Sequence, residues 1–438
     1  MDIFVPTILI SYLGMFRCHF TKPSFVYFQS YIWGLLIGNG RKTMKRIARC
    51  CFFVDRHLSS WERFLSENSW GTKAVISTLI GIMKEKMGSS LMVHKAYLGV
   101  LDTLIIAKNA KRMIGVQKWK DHSGNADRGG SIKGHHWGII GLISFSALLN
   151  RYLCLPTSMQ LIPGQLNPFQ FIVDPNGVAT LATIWDSVLP LIFQLYEQLN
   201  HAPLRMVVDA YFCKAPFINP LLEKGIHVIT KMRIDAVGWD DPLYCGKGRR
   251  PDKGKKWKLA TLLECFQSEW VEAHIYGKLA EVKAVCHVVW VRDVKKKVKV
   301  VVIEGVKEPV ILLCTDLTLT AAQIIEIYAA RFSVELVIRD LKGHFGLADY
   351  QCYLSLAFHR FVHLACVAFC LFRLIQLQED TSQWMPDAKG EFAPLSFNRI
   401  RRGLQTFAIS KILSPKFGEL PKLEKCKTEL DAVLRIAA

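Results

Sequence analysis

The sequence contains no Cys-x-x-Cys pair, although it has thirteen cysteines. Zinc ribbons and thioredoxin-like sites are built on such pairs, so neither kind of site is predicted. Cys50 and Cys51 stand next to each other in an apolar stretch, and Cys366 and Cys370 stand in another. This placement favours a role in core packing and a reducing, intracellular environment.

Acidic residues are scarce relative to basic ones. The chain has 37 Asp and Glu against 56 Lys and Arg, which gives a formal net charge of +19 and a pI near 9.4. This imbalance is large for an enzyme that acts on small molecules. It predicts a polyanionic partner, either nucleic acid or anionic lipid, and composition alone does not choose between them.

The sequence also lacks a typical signal peptide, internal repeats and low-complexity blocks. Residues 4–16 are apolar, but Asp2 replaces the positive start of a signal peptide, and the run is shorter than the roughly 20 residues that span a bilayer. Residues 354–375 form a longer apolar run that includes His359, Arg360, His363 and Arg373. We therefore predict a buried helix with mixed faces there, and a membrane-associated protein is the less favoured alternative.

Residues 1–92 are predicted to form a helical region. Trp33, Trp61 and Trp70 recur among basic segments such as 41–46, and apolar residues of the region stand at helical spacing. This pattern is typical of a small DNA-binding bundle, or equally of a capping subdomain with a solvated basic edge. No helix-turn-helix pattern places a recognition helix.

The pattern changes to strands after residue 92. Over residues 93–235 we predict three strands, a helix, a strand, a helix and a last strand, which is the element order of a ribonuclease-H-like α/β core. The predicted strands are 97–106, 137–149, 152–162, 204–209 and 227–232, and the predicted helices are 181–199 and 214–224.

A β-rich insertion is predicted at 236–316. It opens with the basic segment 246–258 and continues with strand patterns at 282–291, 297–304 and 310–313. The final core helices are expected at 317–376. A C-terminal helical and basic tail is expected at 377–438, with basic patches at 399–402 and 422–427.

Three carboxylates are the main catalytic candidates: Asp102 inside the first core strand, Asp209 at the end of the fourth, and Glu335 on a later helix. The first and fourth strands are neighbours in a ribonuclease-H-like sheet, so we expect Asp102 beside Asp209, with Glu335 facing them. Three such carboxylates repel one another unless cations intervene. Their hard oxygen atoms suit two Mg²⁺ or Mn²⁺ ions about 4 Å apart, an arrangement that supports phosphodiester chemistry.

Each carboxylate also has a structural interpretation. Asp102 could form an interior ion pair, and Asp209 could cap the helix that follows it. Weaker rivals for the second position are Asp174, Asp235, Asp240 and Asp241, and weaker rivals for the first are Asp121 and Asp127.

The stretch 328–342 contains no Gly or Pro and is predicted to be a helix of several turns. On such a helix, Tyr328, Arg331, Glu335 and Lys342 project within about 60° of one another. A solvated ion-pair face is the simpler interpretation. However, the rest of the stretch is apolar, which favours a buried polar face that is satisfied by a metal ion and a phosphate backbone.

The spacing Tyr-x2-Arg-x3-Glu-x6-Lys resembles the signature of insertion-sequence DDE transposases of the insertion-sequence-four type. The resemblance implies that Asp102, Asp209 and Glu335 are the catalytic, metal-binding triad. It also implies that Tyr328, Arg331 and Lys342 hold the phosphates of double-stranded DNA, and that a β insertion separates the second Asp from the Glu.

As a whole, the resemblance implies a cytoplasmic, nucleoid-associated transposase that cuts the ends of its element and transfers them to target DNA, acting as a homodimer on paired ends. Some relatives stack a flipped base on a tryptophan of the insertion, and four residues are open for that role: Trp239, Trp257, Trp270 and Trp290. A metal-dependent nuclease of the same fold and a non-catalytic DNA-binding protein remain alternatives.

Two further motifs have simpler interpretations. His135 and His136 are adjacent on a predicted strand, so their side chains point to opposite faces and a shared zinc ion is not expected. The lysine run 295–299 is predicted to be a hairpin tip in solvent, with DNA backbone contact as the second interpretation.

Overall fold

A computed structural model describes residues 5–51, 53–54, 56–120, 130–162, 171–173, 179–181, 183–244, 246, 252–292, 294–377 and 396–413. The helices are α1 (Thr7–Gly14), α2 (Lys22–Ile37), α3 (Met44–Cys50), α4 (Leu58–Ser66), α5 (Thr72–Met87), α6 (Ile184–Gln198), α7 (Ala215–Glu223), α8 (Leu262–Cys265), α9 (Ala321–Ala330), α10 (Ser333–His344), α11 (Ser355–Leu377) and α12 (Phe397–Leu413). The strands are β1 (Met92–Val93), β2 (Ala96–Ala107), β3 (Gln117–Lys120), β4 (Ser131–Ser146), β5 (Arg151–Leu161), β6 (Phe171–Val173), β7 (Ala179–Leu181), β8 (Leu204–Val208), β9 (His227–Lys231), β10 (Val237–Trp239), β11 (Lys256–Lys258), β12 (Glu269–Ile275), β13 (Lys278–Val291), β14 (Val298–Ile303) and β15 (Val310–Cys314).

The centre of the molecule is a mixed sheet. Strands β2, β4 and β5 pair antiparallel in chain order, β8 then pairs parallel with β2, and β9 pairs parallel with β8. The resulting order β5-β4-β2-β8-β9, with α6 ahead of β8 and α7 between β8 and β9, is that of a ribonuclease-H-like core. The fold class predicted from the sequence is therefore confirmed.

The β-rich segment continues the same sheet. Strand β15 pairs antiparallel with β9, and β14, β13, β10 and β11 follow in order, so that one sheet holds thirteen of the described strands. The strands of the insertion are thus joined to the core by backbone hydrogen bonds.

Helix α11 is the apolar run recognised in the sequence. Among the described residues it is the one helix long and apolar enough to cross a membrane, but 83% of its most apolar window is buried inside the protein. It packs against β5 and against α2, α4 and α5. The prediction of a buried helix with mixed faces is confirmed.

The buried charges of α11 fasten the N-terminal helices to the core. The guanidinium group of Arg360 donates to the backbone carbonyls of Leu65 (3.0 Å), Asn68 (2.7 Å) and Trp70, and lies 4.4 Å from the centre of the Trp70 ring. These carbonyls follow or end α4, where helix geometry leaves acceptors without an internal donor. One arginine thereby satisfies several acceptors at once.

Helix α12 belongs to the predicted C-terminal tail and packs on α2. Arg401 donates to the carbonyls of Leu36 (3.0 Å) and His344 (2.8 Å), and so joins α12 to both α2 and α10. The basic patch 399–402 lies in α12, and the patch 422–427 lies outside the described residues.

Arg360→Met should destabilise the protein by about 2–4 kcal/mol, because several buried carbonyls would lose their donor while the apolar volume stays similar. The free energy of unfolding measured in urea tests this. Arg63→Met is the matched control, since Arg63 is exposed on α4, and it should change stability by less than about 0.5 kcal/mol. Equal effects of the two variants would contradict the role assigned to Arg360.

Candidate active site

Two aspartates stand side by side at one end of the parallel strand pair. The last paired residues of β2 and β8 are Val100 and Val207, and each aspartate lies two positions further along its strand direction. Neighbouring strands are about 4.8 Å apart, so Asp102 and Asp209 face the same region. The sequence predicted this juxtaposition from the neighbouring first and fourth strands.

Local backbone groups hold both carboxylates in place. Asp102 accepts a hydrogen bond from the amide of Thr103 (2.7 Å), and Asp209 accepts one from the amide of Tyr211 (3.0 Å). Asp209 therefore caps the short 3₁₀ turn Ala210–Phe212, and Lys214 stands at the N-cap position of the longer helix α7. Asp209 therefore caps the 3₁₀ turn and not α7, for which the capping role was proposed. This role is compatible with a place in the site.

The prediction of one continuous helix over 328–342 is wrong. Helix α9 ends at Ala330 and α10 begins at Ser333. At the junction the backbone stays in the helical region, but its hydrogen bonds tighten to the i→i−3 pattern, as from the Arg331 amide to the Tyr328 carbonyl (3.2 Å). The two helices pack on different surfaces, α9 on β12 and α10 on β5 and β2. Tertiary packing thus divides a segment that local propensity alone would keep whole.

The junction directs Arg331 between two carboxylates. Its guanidinium group lies 2.7 Å from Glu335 Oε1 and 3.5 Å from Asp102 Oδ2. The side chains of Arg331 and Asp102 are each only 16% exposed, whereas Glu335 is 43% exposed. One cation therefore links the carboxylate on the sheet to the carboxylate in the first turn of α10, where the helix dipole also favours negative charge.

Burial and mutual repulsion perturb the aspartates. Burial raises the pKa of Asp102 to about 6, and the negative charges of Asp209 and Glu335 act in the same direction, while Arg331 opposes them. Burial also raises the pKa of Asp209, again against the effect of Arg331. Asp102 is therefore close enough to Asp209 and Glu335 for their charges to affect its ionisation, and Asp209 is close enough to Glu335.

Tyr328 and Lys342 lie on the same side of the sheet as this group. The Tyr328 ring centre is 6.0 Å from the Arg331 guanidinium carbon, and burial raises the Tyr328 pKa, with Asp209 adding to the effect. Lys342 Nζ is 3.5 Å from the carbonyl of Ile105, three residues beyond Asp102 on β2. The residues singled out at 328–342 thus come together, although two helices carry them.

The rival aspartates have other partners. Asp235 pairs with Arg233 (3.0 Å), Asp240 accepts from His287 (2.8 Å), and Asp241 accepts from Trp290 (2.9 Å). Asp121, Asp127 and Asp174 lie outside the described residues.

The donor atoms suit a hard divalent cation. Within the part of the chain that the structure describes, no three His, Cys, Asp or Glu side chains stand at the separation of a shared metal site. Arg331 supplies positive charge between Asp102 and Glu335 in this arrangement. Two buried aspartates with raised pKa values beside a third carboxylate need such a counter-charge, and Mg²⁺ or Mn²⁺ would provide it through oxygen ligands.

The remaining motifs have structural explanations. His135 Nδ1 lies 2.7 Å from the Tyr350 hydroxyl, while the ring of His136 packs 4.7 Å from that of Trp119. The two histidines contact different groups, as expected for adjacent residues of a strand. In the lysine run, Lys295 pairs with Glu223 and Lys297 pairs with Asp241.

An aromatic contact beside the site was not anticipated from the sequence. Tyr276 and Gly277 form the tip of the β12–β13 hairpin, both with positive φ, and the Tyr276 ring lies 5.4 Å from that of Phe332. Phe332 occupies the junction between Arg331 and Glu335. The signal available was a Tyr-Gly dipeptide between two strand patterns, which is typical of a two-residue hairpin. The dipeptide does not indicate that Tyr276 contacts Phe332.

Asp102→Asn should stabilise the protein in EDTA near pH 7.5 by roughly 2–3 kcal/mol, because a charged group is removed from a buried position. The native carboxyl keeps its proton up to about pH 6, whereas the unfolded one loses it near its ordinary pKa of 3.8. Wild-type stability relative to the variant therefore falls as pH rises from roughly 4 to 6 and then levels off. Urea unfolding of both proteins across this range tests the prediction, and a difference that does not change with pH would contradict it.

Comparison with known proteins places the chain in a family. Comparison with curated proteins gives no match. Among solved structures, one that matches is a piggyBac transposase synaptic complex with hairpin DNA, with 9% sequence identity and a TM-score of 0.42 over 99% of this chain and 84% of that chain. Residues 15–277, more than half of the sequence, match the family of DDE superfamily endonucleases. This range includes Asp102 and Asp209 and ends before Glu335, and the chain belongs to the DDE superfamily endonuclease family.

Proposed function

We propose that this DDE superfamily endonuclease is a DNA transposase that cuts the ends of its own mobile element and joins them to target DNA. The observation that carries the proposal is the placement of Asp102 and Asp209 at the same level of two paired parallel strands, with Glu335 linked to Asp102 through Arg331. Neighbouring aspartates with raised pKa values, such as Asp102 and Asp209, are typical of catalytic sites.

Asp102, Asp209 and Glu335 are the residues that would hold Mg²⁺ or Mn²⁺. Two such ions would activate the attacking oxygen and stabilise the leaving one in a displacement at phosphorus. The protein's part is to hold the three carboxylates on or beside rigid elements. Asp102 lies on β2, Asp209 directly follows β8, and Glu335 lies on α10, which packs against the sheet.

Arg331, Lys342 and Tyr328 would position the DNA strand. Arg331 can clamp a phosphate bidentately once its carboxylate partners are neutralised by cations, Lys342 adds a point charge, and Tyr328 adds a hydrogen bond. In the first displacement, water attacks the scissile phosphorus and the 3′-oxygen leaves as a hydroxyl. In the second, the oxygen of that hydroxyl bonds to a phosphorus of the target strand. The bond from this phosphorus to the target's own 3′-oxygen breaks, and that oxygen leaves as a hydroxyl after taking up a proton.

The same proposal includes membership of the insertion-sequence-four type and action as a homodimer on paired ends in the cytoplasm. It rests on the spacing of Tyr328, Arg331, Glu335 and Lys342 and on their convergence at the sheet. The helical region 1–92 is proposed to contribute to DNA binding, which the high positive charge of the chain supports. A nuclease without strand transfer would release cut ends but yield no joined product.

Saturating Mn²⁺ should raise the melting temperature of the wild-type protein by roughly 2–5 °C, since a ligand that binds only the native state stabilises it. Asp102→Asn and Asp209→Asn should each lose most of this shift. Asp235→Asn is the matched control, because Asp235 is an exposed aspartate paired with Arg233, and it should keep the full shift. A control that loses the shift as well would contradict the assigned ligands.

Glu335→Gln should leave DNA affinity within about twofold of wild type and lower the cleavage rate by roughly 10³-fold or more, because the amide keeps the shape but loses the charge that a cation needs. Filter binding in EDTA and cleavage of an end-containing duplex in Mg²⁺ measure the two effects. Glu264→Gln, an exposed position, should match wild type in both. Equal losses of binding and cleavage in Glu335→Gln would show that Glu335 is structural.

A further inference from the structure

We infer that a second surface of this chain, well away from the carboxylates, binds the sugar-phosphate backbone of duplex DNA. We call it the tryptophan-lysine face. It lies on β10, β11 and β13 and on the segments that precede β11 and β14, and consists of Trp239, Lys253, Lys256, Val288, Trp290 and Lys297. The inference rests on the proposed function in one respect, which is that the substrate is DNA.

Strand register brings these residues to one side of the sheet. Trp239 on β10 is paired directly with Trp290 on β13, and Lys256 on β11 is paired with Trp239. Side chains of directly paired residues share a face of the sheet. The order lysine, tryptophan, tryptophan therefore crosses three adjacent strands.

This side of β13 is turned to solvent. Val288, two residues before Trp290, is 40% exposed, whereas Val289 and Val291 on the other side are at most 8% exposed. Lys299, which is paired with Val288, donates to the carbonyls of Leu317 and Leu319 (both 2.6 Å) and marks the border with the segment that leads into α9.

Lysine ammonium groups lie over the indole rings. Lys253 Nζ is 4.1 Å from the centre of the Trp239 ring, and Lys297 Nζ is 5.8 Å from that of Trp290. Asp241 accepts hydrogen bonds from Trp290 (2.9 Å) and Lys297 (2.5 Å). The ring of Trp239 thus holds the positive charge of Lys253 at the surface at little desolvation cost, since that ammonium group stays exposed to water, whereas Asp241 balances the charge of Lys297.

This arrangement selects the kind of partner. An apolar peptide would have to bury the lysines, and a stacked base would have to displace the ammonium groups from the ring faces. A chain of phosphates can pair with the exposed Lys253 and Lys256 where they stand. The ring of Trp239 accordingly supports the charge of Lys253, and this role differs from base stacking.

The position of the face suits a duplex that also reaches the carboxylates. From β13 the sheet runs through β14, β15 and β9 to β8 and then β2. Four or five strand spacings of about 4.8 Å correspond to roughly 20–25 Å. That length equals about six or seven base pairs at 3.4 Å each.

The test is the double variant Lys253→Gln/Lys256→Gln, whose positions are exposed. Fluorescence anisotropy with a labelled 30-base-pair duplex in EDTA gives the affinity at several salt concentrations. We expect affinity near 0.15 M salt to fall by about tenfold or more, and the slope of log K against log salt to decrease by about 2, since each phosphate contact contributes about 0.9.

The matched control is Lys307→Gln/Lys411→Gln. It removes the same charge from exposed positions outside both the face and region 1–92. Lys307 follows the end of β14 that is farther from Trp290, and Lys411 lies on α12, which packs on α2. It should bind the long duplex as wild type does. A short duplex that ends within about five base pairs of the cleavage site does not reach the face, so both double variants should bind it equally.

Three results would overturn the inference. If the Lys253/Lys256 variant shows the same affinity and salt slope as the control, the face does not bind DNA, while the proposed function stands. If it instead loses binding to polyglutamate but not to duplex, the face takes an acidic protein. If the wild-type protein binds no duplex at all, this inference and the proposed function fail together.

Discussion

The contact of Arg331 with two carboxylates is the interaction on which the proposed active site depends. Asp102 lies in a mostly buried strand, and its charge is tolerated there because a guanidinium group stands 3.5 Å away. The same group holds Glu335 at 2.7 Å and so ties α10 to the sheet. A single cation thereby compensates a buried charge and fixes the relative position of two elements that are far apart in the sequence. The arginine is also well suited to exchange carboxylates for a phosphate, because its planar donors match both.

Much of this site followed from local features of the sequence. A carboxylate within an apolar strand pattern is costly unless it is used or paired, and this singled out Asp102. Asp209 followed from its place at the end of the next parallel strand. The element order of the core was predictable because its strands and helices differ in hydrophobic period. These features are properties of short stretches, so single-sequence reasoning could reach them.

Other features depend on contacts between distant segments. The break between α9 and α10 occurs where the sequence has neither Gly nor Pro, because the two helices pack on different strands. The aromatic contact of Tyr276 with Phe332 joins a hairpin tip to that break across more than fifty residues of sequence. The continuation of the core sheet into the insertion depends on the pairing of β15 with β9. Pairing partners are set by the whole fold, and strand patterns alone do not specify them.

The pairing of β15 with β9 also determines what a deletion of the β-rich segment would do to the core sheet. Strand β9 is central here, hydrogen-bonded on one side to β8 and on the other to β15. A shorter chain that lacked the β-rich segment would leave β9 as a sheet edge with unpaired backbone groups along a buried, apolar strand. Such edges recruit strands from other molecules and promote aggregation. The insertion therefore protects the edge of the catalytic core, and its loss would threaten solubility before it affected any contact with DNA.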